Sequence, residues 1–260
     1  MTEETLKGKT AIITGGGRGL GKAIARAYVQ AGAQVLITAA RSYEELERSA
    51  IEIGAWSQIA DVTHDTDVAL VVDLALKEFG HIDILVNNAA RGMRMINERY
   101  LTDPLPFWHV DADDWRLMVD TNINGPFLMS RAVVPHMLEN GWGRVINICA
   151  DPMTFSQPGW SPYGPSKAAL DAMSEIWARD VDGTGVTVNR LLPGGDAATA
   201  MFPPAALRDR RDTFLSPEVI GPPAVYLASD DAADVNGARI NALAWNEERG
   251  IELVPSQQTD

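Results

Sequence analysis

Short apolar runs alternate with longer helical patterns along most of this chain, and this alternation limits the folds that it can adopt. The predicted strands are 10–14, 34–38, 82–86, 144–148, 187–191 and 238–243, and the predicted helices are 21–31, 65–79, 113–140, 163–181 and 217–228. The apolar runs show little polar alternation, which is typical of strands that are buried on both faces. Strands separated by helices form right-handed crossovers, so the sequence predicts an α/β fold with one parallel sheet.

The chain contains no internal repeat and no Gly/Ser linker. It is therefore interpreted as a single domain over residues 1–245, followed by a polar tail at 246–260. In parallel sheets of this kind, ligands bind beyond the carboxyl ends of the strands, and the functional motifs are expected there.

The composition excludes several classes of partner. With 22 basic and 35 acidic residues the net charge is −13, which disfavours nucleic acid. Cys149 is the single cysteine, so no intrachain disulfide is possible and a reducing compartment fits best. The first nine residues lack the apolar core of a signal peptide, and no run approaches the ~20 apolar residues of a membrane span. A cytoplasmic protein without a membrane partner is expected, and no metal site is predicted.

A glycine-rich loop joins the first predicted strand to the first predicted helix. Its residues are Gly15, Gly17, Arg18, Gly19, Leu20 and Gly21. Glycine lets the backbone turn sharply and approach a pyrophosphate closely, while the helix N-terminus offers free N–H groups to the anion. In this position the loop indicates a dinucleotide-binding Rossmann fold, doubly wound around the parallel sheet.

The end of the second predicted strand indicates which dinucleotide is bound. Chains that bind NAD usually carry an acidic residue there for the ribose 2′-hydroxyl, whereas residues 38–42 contain none. Arg41, together with Arg18 of the glycine loop, suits a 2′-phosphate instead. NADP is therefore the preferred cofactor and NAD stays possible. The alternative is that Arg41 simply begins a solvated loop.

Together with the motifs that follow the loop, these residues resemble the short-chain dehydrogenase/reductase family over about residues 6–243. The motifs are 14–21, 61–62, 87–90, Asn122 and 163–167, followed by Asn189 and 193–194. The resemblance implies that Asp61 and Val62 contact the adenine. It implies that Asn88 and Ala89 line the nucleotide path, that Asn87 steadies the sheet, and that the chain forms a homodimer or homotetramer. Pro193 and Gly194 would border the nicotinamide.

Tyr163 and Lys167 are four residues apart at the start of a predicted helix, so their side chains share one helix face. A free tyrosine has a pKa of ~10, and a neighbouring ammonium with the positive nicotinamide ring would lower that pKa enough for acid/base catalysis. We expect Tyr163 to exchange a proton with the substrate oxygen. The resemblance implies that Lys167 also binds the nicotinamide ribose and that Asn122 holds a water of a proton relay. Asn124 is the alternative to Asn122, or either amide only caps a kink.

The family places a serine thirteen residues before the tyrosine, and that position is Ala150. A methyl group donates no hydrogen bond to the substrate oxygen, and losing such a donor costs ~2.7–4 kcal/mol. Ser156 is the first candidate to replace the serine, and Thr154, Asp151 and Cys149 are alternatives. The Tyr163–Lys167 pair alone would also suffice for a reactive carbonyl.

The long segment 91–111 and two later loops are rich in aromatic and thioether side chains, which is typical of a pocket for a bulky apolar or aromatic substrate. These residues are Met93, Met95, Tyr100, Phe107, Trp108, Phe155, Trp160, Met201 and Phe202. The alternative for any of them is packing under the segment or at a subunit contact. Arg91, Arg94 and Arg99 suit either an acidic group on the substrate or surface ion pairs.

The leading interpretation is an NAD(P)-dependent oxidoreductase that interconverts an alcohol and a ketone or aldehyde. Ala150 keeps two alternatives open. One is a non-redox lyase, dehalogenase or epimerase on the same scaffold. The other is a catalytically weak dinucleotide sensor, although a sensor has no need to retain Asn122, Tyr163 and Lys167 together.

Overall fold

The computed structural model describes residues 4–252, and within them seven parallel strands form one sheet in the order β3-β2-β1-β4-β5-β6-β7. The strands are β1 Thr10–Ile13, β2 Gln34–Ala39, β3 Trp56–Ile59, β4 Ile84–Asn87, β5 Gly143–Ile148, β6 Val186–Leu192 and β7 Arg239–Asn241. The strand order reverses between β1 and β4, and a crevice opens at such a reversal. The predicted doubly wound α/β fold is confirmed.

Helices cover both faces of the sheet. They are α1 Gly19–Gln30, α2 Tyr43–Ile53, α3 Asp65–Phe79, α4 Ala112–Val119, α5 Gly125–Asn140, α6 Tyr163–Asp180, α7 Pro204–Asp209, α8 Gly221–Ala228 and α9 Ala242–Glu248. One apolar core joins the sheet to α1, α2 and α8, and a second joins it to α3, α5 and α6. Both faces of the central strands are therefore buried, which explains their unbroken apolar runs.

Among the elements that were not predicted from the sequence are the strand β3 and the helix α2. β3 lies at the edge of the sheet and is only partly buried, so its sequence needs no long apolar run. α2 buries a narrow stripe that includes Leu46, Ala50 and Ile53 on an otherwise polar helix. Tertiary packing, rather than a strong local pattern, stabilises both elements.

The predicted helix 113–140 is interrupted by a π-helical turn at Asp120–Asn124, between α4 and α5. The predicted strand 238–243 is also wrong in its extent, because β7 ends at Asn241 and α9 follows directly. The Asn241 side chain accepts a hydrogen bond from Ala244 N and so caps this helix.

The predicted boundary between domain and tail falls inside α9. Asn246 is fully buried, and its Nδ2 donates to Val219 O at 2.8 Å, so the residues at the start of the predicted tail belong to the folded domain. The last eight residues of the tail, 253–260, lie outside the described residues. Within the described part of the chain, the structure shows no helix both long enough and apolar enough to cross a bilayer.

Candidate active site

The glycine loop passes so close to its neighbours that side chains are excluded from it. A Cβ on Gly21 would lie 2.3 Å from Gly15 O and 2.4 Å from Asn88 Nδ2, and one on Gly16 would lie 2.6 Å from Ile37 Cβ. Gly15 also has a φ of 65°, which glycine adopts at low cost. The loop therefore presents bare backbone at the N-terminus of α1, as a pyrophosphate requires.

The end of β4 holds the glycine loop in place. Asn88 Nδ2 donates to Thr14 O and Gly15 O, both at 2.9 Å. Thr14 Oγ1 accepts from Asn88 N and Ala89 N, each at 3.0 Å. Asn87 lies deeper in the sheet, where its Nδ2 donates to Asn147 and Ser130. Asn88 thus supports the loop as well as lining the space in front of it.

A cavity of about 820 Å³ runs along the carboxyl ends of the strands and brings most of the predicted residues together. Its lining includes Gly15, Gly17, Arg18, Gly19, Leu20, Arg41, Asp61, Val62, Asn88, Ala89, Tyr163, Lys167, Pro193 and Gly194. Gly21 is buried beneath the loop, and Asn122 lies behind the wall of the cavity. The bare glycine cradle at one end and Tyr163 with Lys167 at the other fit a dinucleotide laid across the sheet edge.

Asp61, Arg91 and Arg41 lie close enough at the end of the cavity next to β2 and β3 to interact electrostatically. Partial burial raises the pKa of Asp61, but hydrogen bonds from Thr63 N and Oγ1 and the charges of His64 and Arg91 lower that pKa overall. Arg91 donates from Nε to Thr121 Oγ1 at 2.8 Å. Burial and the charge of Arg41 lower the pKa of Arg91. Arg91 therefore lies within electrostatic range of Arg41 and Asp61 and lines the cavity.

Lys167 and Asn122 are held behind Tyr163 by separate partners. Lys167 is 4% exposed, and its Nζ donates to Ile148 O at the end of β5, at 2.8 Å. Asn122 donates from Nδ2 to Arg91 O at 2.9 Å and to Ser166 Oγ at 3.0 Å, and its Oδ1 accepts from Arg91 N. Both amide hydrogens and the Oδ1 of the Asn122 side chain are thus bonded within the protein. Asn124 is exposed and bonds to Asp120 instead.

Protonation of this pair is dominated by burial. Burial raises the pKa of Tyr163 well above its usual range, with further increases from charge on Tyr100 and Cys149. Burial also lowers the pKa of Lys167. Burial therefore sets the direction of the Tyr163 pKa shift in the protein without cofactor, where the Lys167 Nζ bonds to a backbone carbonyl. Tyr163 is thus a neutral phenol in the free protein.

Titration of the free protein by tyrosinate absorbance is expected to show no ionisation of Tyr163 between about pH 7 and 10. Since the folded pKa lies above the ordinary value, Tyr163→Phe should leave the absorbance curve in that window unchanged. A tyrosinate signal in that window that the substitution removes would contradict this assignment.

Ser156 was the first candidate to replace the absent serine, and the structure corrects that prediction. It is exposed and does not line the cavity. Thr154 lines the cavity, but its Oγ1 donates to Asp151 O at 2.7 Å. Cys149 is buried, and burial raises the pKa of its thiol to about 11, so it stays a weak neutral donor. Ala150 itself forms part of the cavity wall.

The part of the cavity around Tyr163 is lined mainly by apolar side chains from separate loops. Those predicted and found there are Met93, Met95, Tyr100, Trp160, Met201 and Phe202. Phe107 and Trp108 are 68% and 67% exposed and do not line the cavity, so their assignment to the pocket is wrong. Phe155 packs behind this part without lining it.

The remaining arginines of the segment 91–111 are paired. Arg94 lines the cavity but pairs with Glu98 and donates to Ala200 O, whereas Arg99 pairs with Asp103 outside it. Sequence reasoning missed Asp196 and Thr199, which also line the cavity. A Cβ on Gly19 would lie 3.1 Å from Thr199 Cγ2, so the loop after β6 closes over the glycine loop. No motif marks these two residues in the sequence.

A dinucleotide cradle and a buried Tyr–Lys pair on one parallel sheet define the class of protein. Residues 9–208 match the model of the short chain dehydrogenase family, so the chain belongs to that family. It is 29% identical over 248 residues to the 3-oxoacyl-(acyl-carrier-protein) reductase of Thermotoga maritima, covering 89% of this chain and 95% of the relative. It is 32% identical over 241 residues to the L-fucose dehydrogenase of Bos taurus, covering 86% and 84%.

A solved structure shows the same architecture. The crystal structure of a protein from Sinorhizobium meliloti 1021, described as a short-chain alcohol dehydrogenase, is 30% identical and superposes with a TM-score of 0.80. The match covers 93% of this chain and 97% of that one. These relatives carry the names of dehydrogenases and reductases.

Proposed function

We propose that this protein is an NADP-preferring oxidoreductase that interconverts an alcohol and a ketone or aldehyde with a bulky apolar or aromatic group. The observation that carries the proposal is the continuity of one cavity from the glycine cradle to Tyr163 and its apolar surroundings. Members of the family use nicotinamide dinucleotides, and the relatives are named as oxidoreductases. The proposal joins that chemistry to the side chains found in this cavity.

The protein's own part in the reaction is proton handling and orientation. The nicotinamide, when bound, supplies hydride to the carbonyl carbon in reduction or accepts it in oxidation. Tyr163 Oη gives its proton to the substrate oxygen in reduction and takes it back in oxidation. Lys167, whose Nζ donates to Ile148 O at the end of β5, stabilises as an ammonium the phenolate that forms. The apolar wall excludes water from these groups.

The pocket composition supports the substrate class. Met93, Trp160 and Phe202 offer apolar and aromatic surface next to Tyr163. Arg94, which lines the cavity, is already paired with Glu98. A neutral aryl or bulky alkyl carbonyl therefore fits better than a small acid or a sugar with many hydroxyls.

The proposal is tested by following the absorbance of the reduced nicotinamide with purified protein, NADPH or NADH, and a panel that includes acetophenone, benzaldehyde, cyclohexanone and acetone. We expect turnover with NADPH that is fastest for the aryl and cyclic compounds. Cofactor binding without turnover across the panel would contradict the proposal and favour a dinucleotide sensor.

Arg41→Ala is expected to weaken NADPH binding by about 10–100-fold and to leave NADH binding unchanged, because a charge-assisted hydrogen bond contributes ~1.5–3 kcal/mol. Arg41 lines the cavity and has no hydrogen bond or ion pair within residues 4–252, so its guanidinium is available to a 2′-phosphate. Arg91, half-buried behind it, adds positive charge at the same place. Dissociation constants from nicotinamide fluorescence measure the effect.

The matched control for that experiment is Arg48→Ala. Arg48 is an exposed arginine on α2 that does not line the main cavity. The substitution should leave both affinities unchanged. Equal losses of NADPH and NADH affinity in Arg41→Ala would defeat the 2′-phosphate assignment.

A further inference from the structure

We propose that Tyr100, from the segment 91–111, donates the hydrogen bond to the substrate oxygen that Ala150 cannot supply. The inference rests on the proposed function and assigns a second phenol to the same site. Its role differs from that of Tyr163, since Tyr100 holds the oxygen and keeps its own proton.

The position of Tyr100 brings its ring into the cavity beside Tyr163. Tyr100 is 3% exposed and lines the cavity wall together with Ala150. Its ring meets Trp160 edge to face, with centroids 5.5 Å apart, and Trp160 meets Tyr163 in the same way at 5.8 Å. Charge on Tyr100 raises the pKa of Tyr163, so the two phenols lie within electrostatic range of each other. Both tyrosines and Ala150 belong to one buried cluster.

Hydrogen bonds hold the segment that carries Tyr100 in place. Tyr100 N donates to Asn97 O at 3.1 Å, and Asn97 Nδ2 donates to Asp103 O at 2.6 Å. Arg94 ties the segment to the loop after β6 by donating to Ala200 O at 3.1 Å. Tyr100 is therefore held in place before substrate arrives, as an effective donor requires.

Apart from Tyr163, the other hydroxyls that line the cavity either donate to backbone carbonyls or lie near the glycine loop. Thr121 donates to Leu117 O and Thr154 donates to Asp151 O. Thr199 packs against Gly19 at the pyrophosphate end. Thr38 and Ser42 lie at the end of β2, on the far side of the glycine loop. Within the described residues, the hydroxyl of Tyr100 has no hydrogen-bond partner, so it is free to donate into the cavity.

Tyr100 is suited to donate a hydrogen bond without giving up its proton. Burial, with a smaller contribution from Asp196, raises the pKa of Tyr100, so the phenol stays protonated at neutral pH. In reduction, hydride adds to the carbonyl carbon, the carbon–oxygen π bond opens, and the oxygen takes a proton from Tyr163. Tyr100 stabilises the negative charge that develops on the oxygen through one O–H···O bond.

The test compares Tyr100→Phe with the wild type under NADPH and acetophenone. Removing one oxyanion donor should lower kcat by about a hundredfold, raise KM by about tenfold at most, and leave the NADPH dissociation constant unchanged. Ala150→Ser is expected to restore most of kcat in Tyr100→Phe, because the serine returns the missing donor. A purely structural role for Tyr100 would not be rescued in this way.

Tyr226→Phe is the matched control, since it removes the phenol oxygen of a tyrosine on α8 that lies against Trp245 and does not line the cavity. It should leave kcat unchanged. Unchanged kcat in Tyr100→Phe, or an equally large loss of kcat in Tyr226→Phe, would overturn the inference.

A second readout needs no turnover. Binding of acetophenone to the NADP(H)-loaded protein, followed by quenching of tryptophan fluorescence, should weaken about tenfold in Tyr100→Phe and recover in the double variant. Unchanged affinity would overturn the inference even if no ketone is reduced. Absence of turnover in the wild type with weakened binding in the variant would instead count against the proposed function alone.

Discussion

Tyr163→Phe is expected to lower kcat for ketone reduction by about a thousandfold, since general acid catalysis contributes roughly 10²–10⁴ in rate. The substitution removes only the phenol oxygen, so the buried ring keeps its contact with Trp160. The group that remains has no proton to give to the substrate oxygen. The measurement is steady-state kinetics with NADPH and the best carbonyl of the panel.

Tyr226→Phe is the control for that experiment, because Tyr226 lies on α8 against Trp245 and does not line the cavity. It should leave kcat unchanged. Tyr163→Phe should also keep its NADPH affinity within about threefold of the wild type, well below the factor of ten that 1.4 kcal/mol represents. A Tyr163→Phe protein that still reduces the ketone at more than a tenth of the wild-type rate would contradict the assigned proton donor.

Gly21→Ala is expected to lower the affinity for NADPH by at least about tenfold and to destabilise the fold by roughly 1–3 kcal/mol through overpacking. Its new methyl group would lie 2.3 Å from Gly15 O and 2.4 Å from Asn88 Nδ2, so the loop and the end of β4 must separate. The same movement breaks the bonds from Asn88 that hold the loop. Cofactor titration and thermal unfolding measure the two effects.

Gly80→Ala separates crowding from backbone strain. Gly80 ends α3 at a φ of 84°, and nothing lies within 4 Å of an added Cβ. Only the strained backbone should then cost stability, by roughly 1 kcal/mol, and NADPH affinity should not change. If Gly21→Ala bound NADPH as tightly as Gly80→Ala, the tight cradle would not matter for binding.

The parts that were predictable from the sequence are those in which a local pattern has a local physical cause. β1 and the glycine loop could be predicted because a strand that is buried on both faces must be apolar and a backbone cradle must lack side chains. Tyr163 and Lys167 were visible because a spacing of four places two side chains on one helix face. The sequence by itself thus determined the fold class, the glycine loop and the Tyr163–Lys167 pair to which we assign the proton transfer.

Tertiary structure alone decided which side chain faces the substrate oxygen. Ser156 is closer to Tyr163 in sequence than Tyr100 is, yet it is solvent exposed, while Tyr100 is buried beside the catalytic ring. The direction of the Tyr163 pKa shift also depended on burial by segments that are distant in the chain. Loop packing and burial join residues far apart in the chain, and no local periodicity or spacing encodes such contacts.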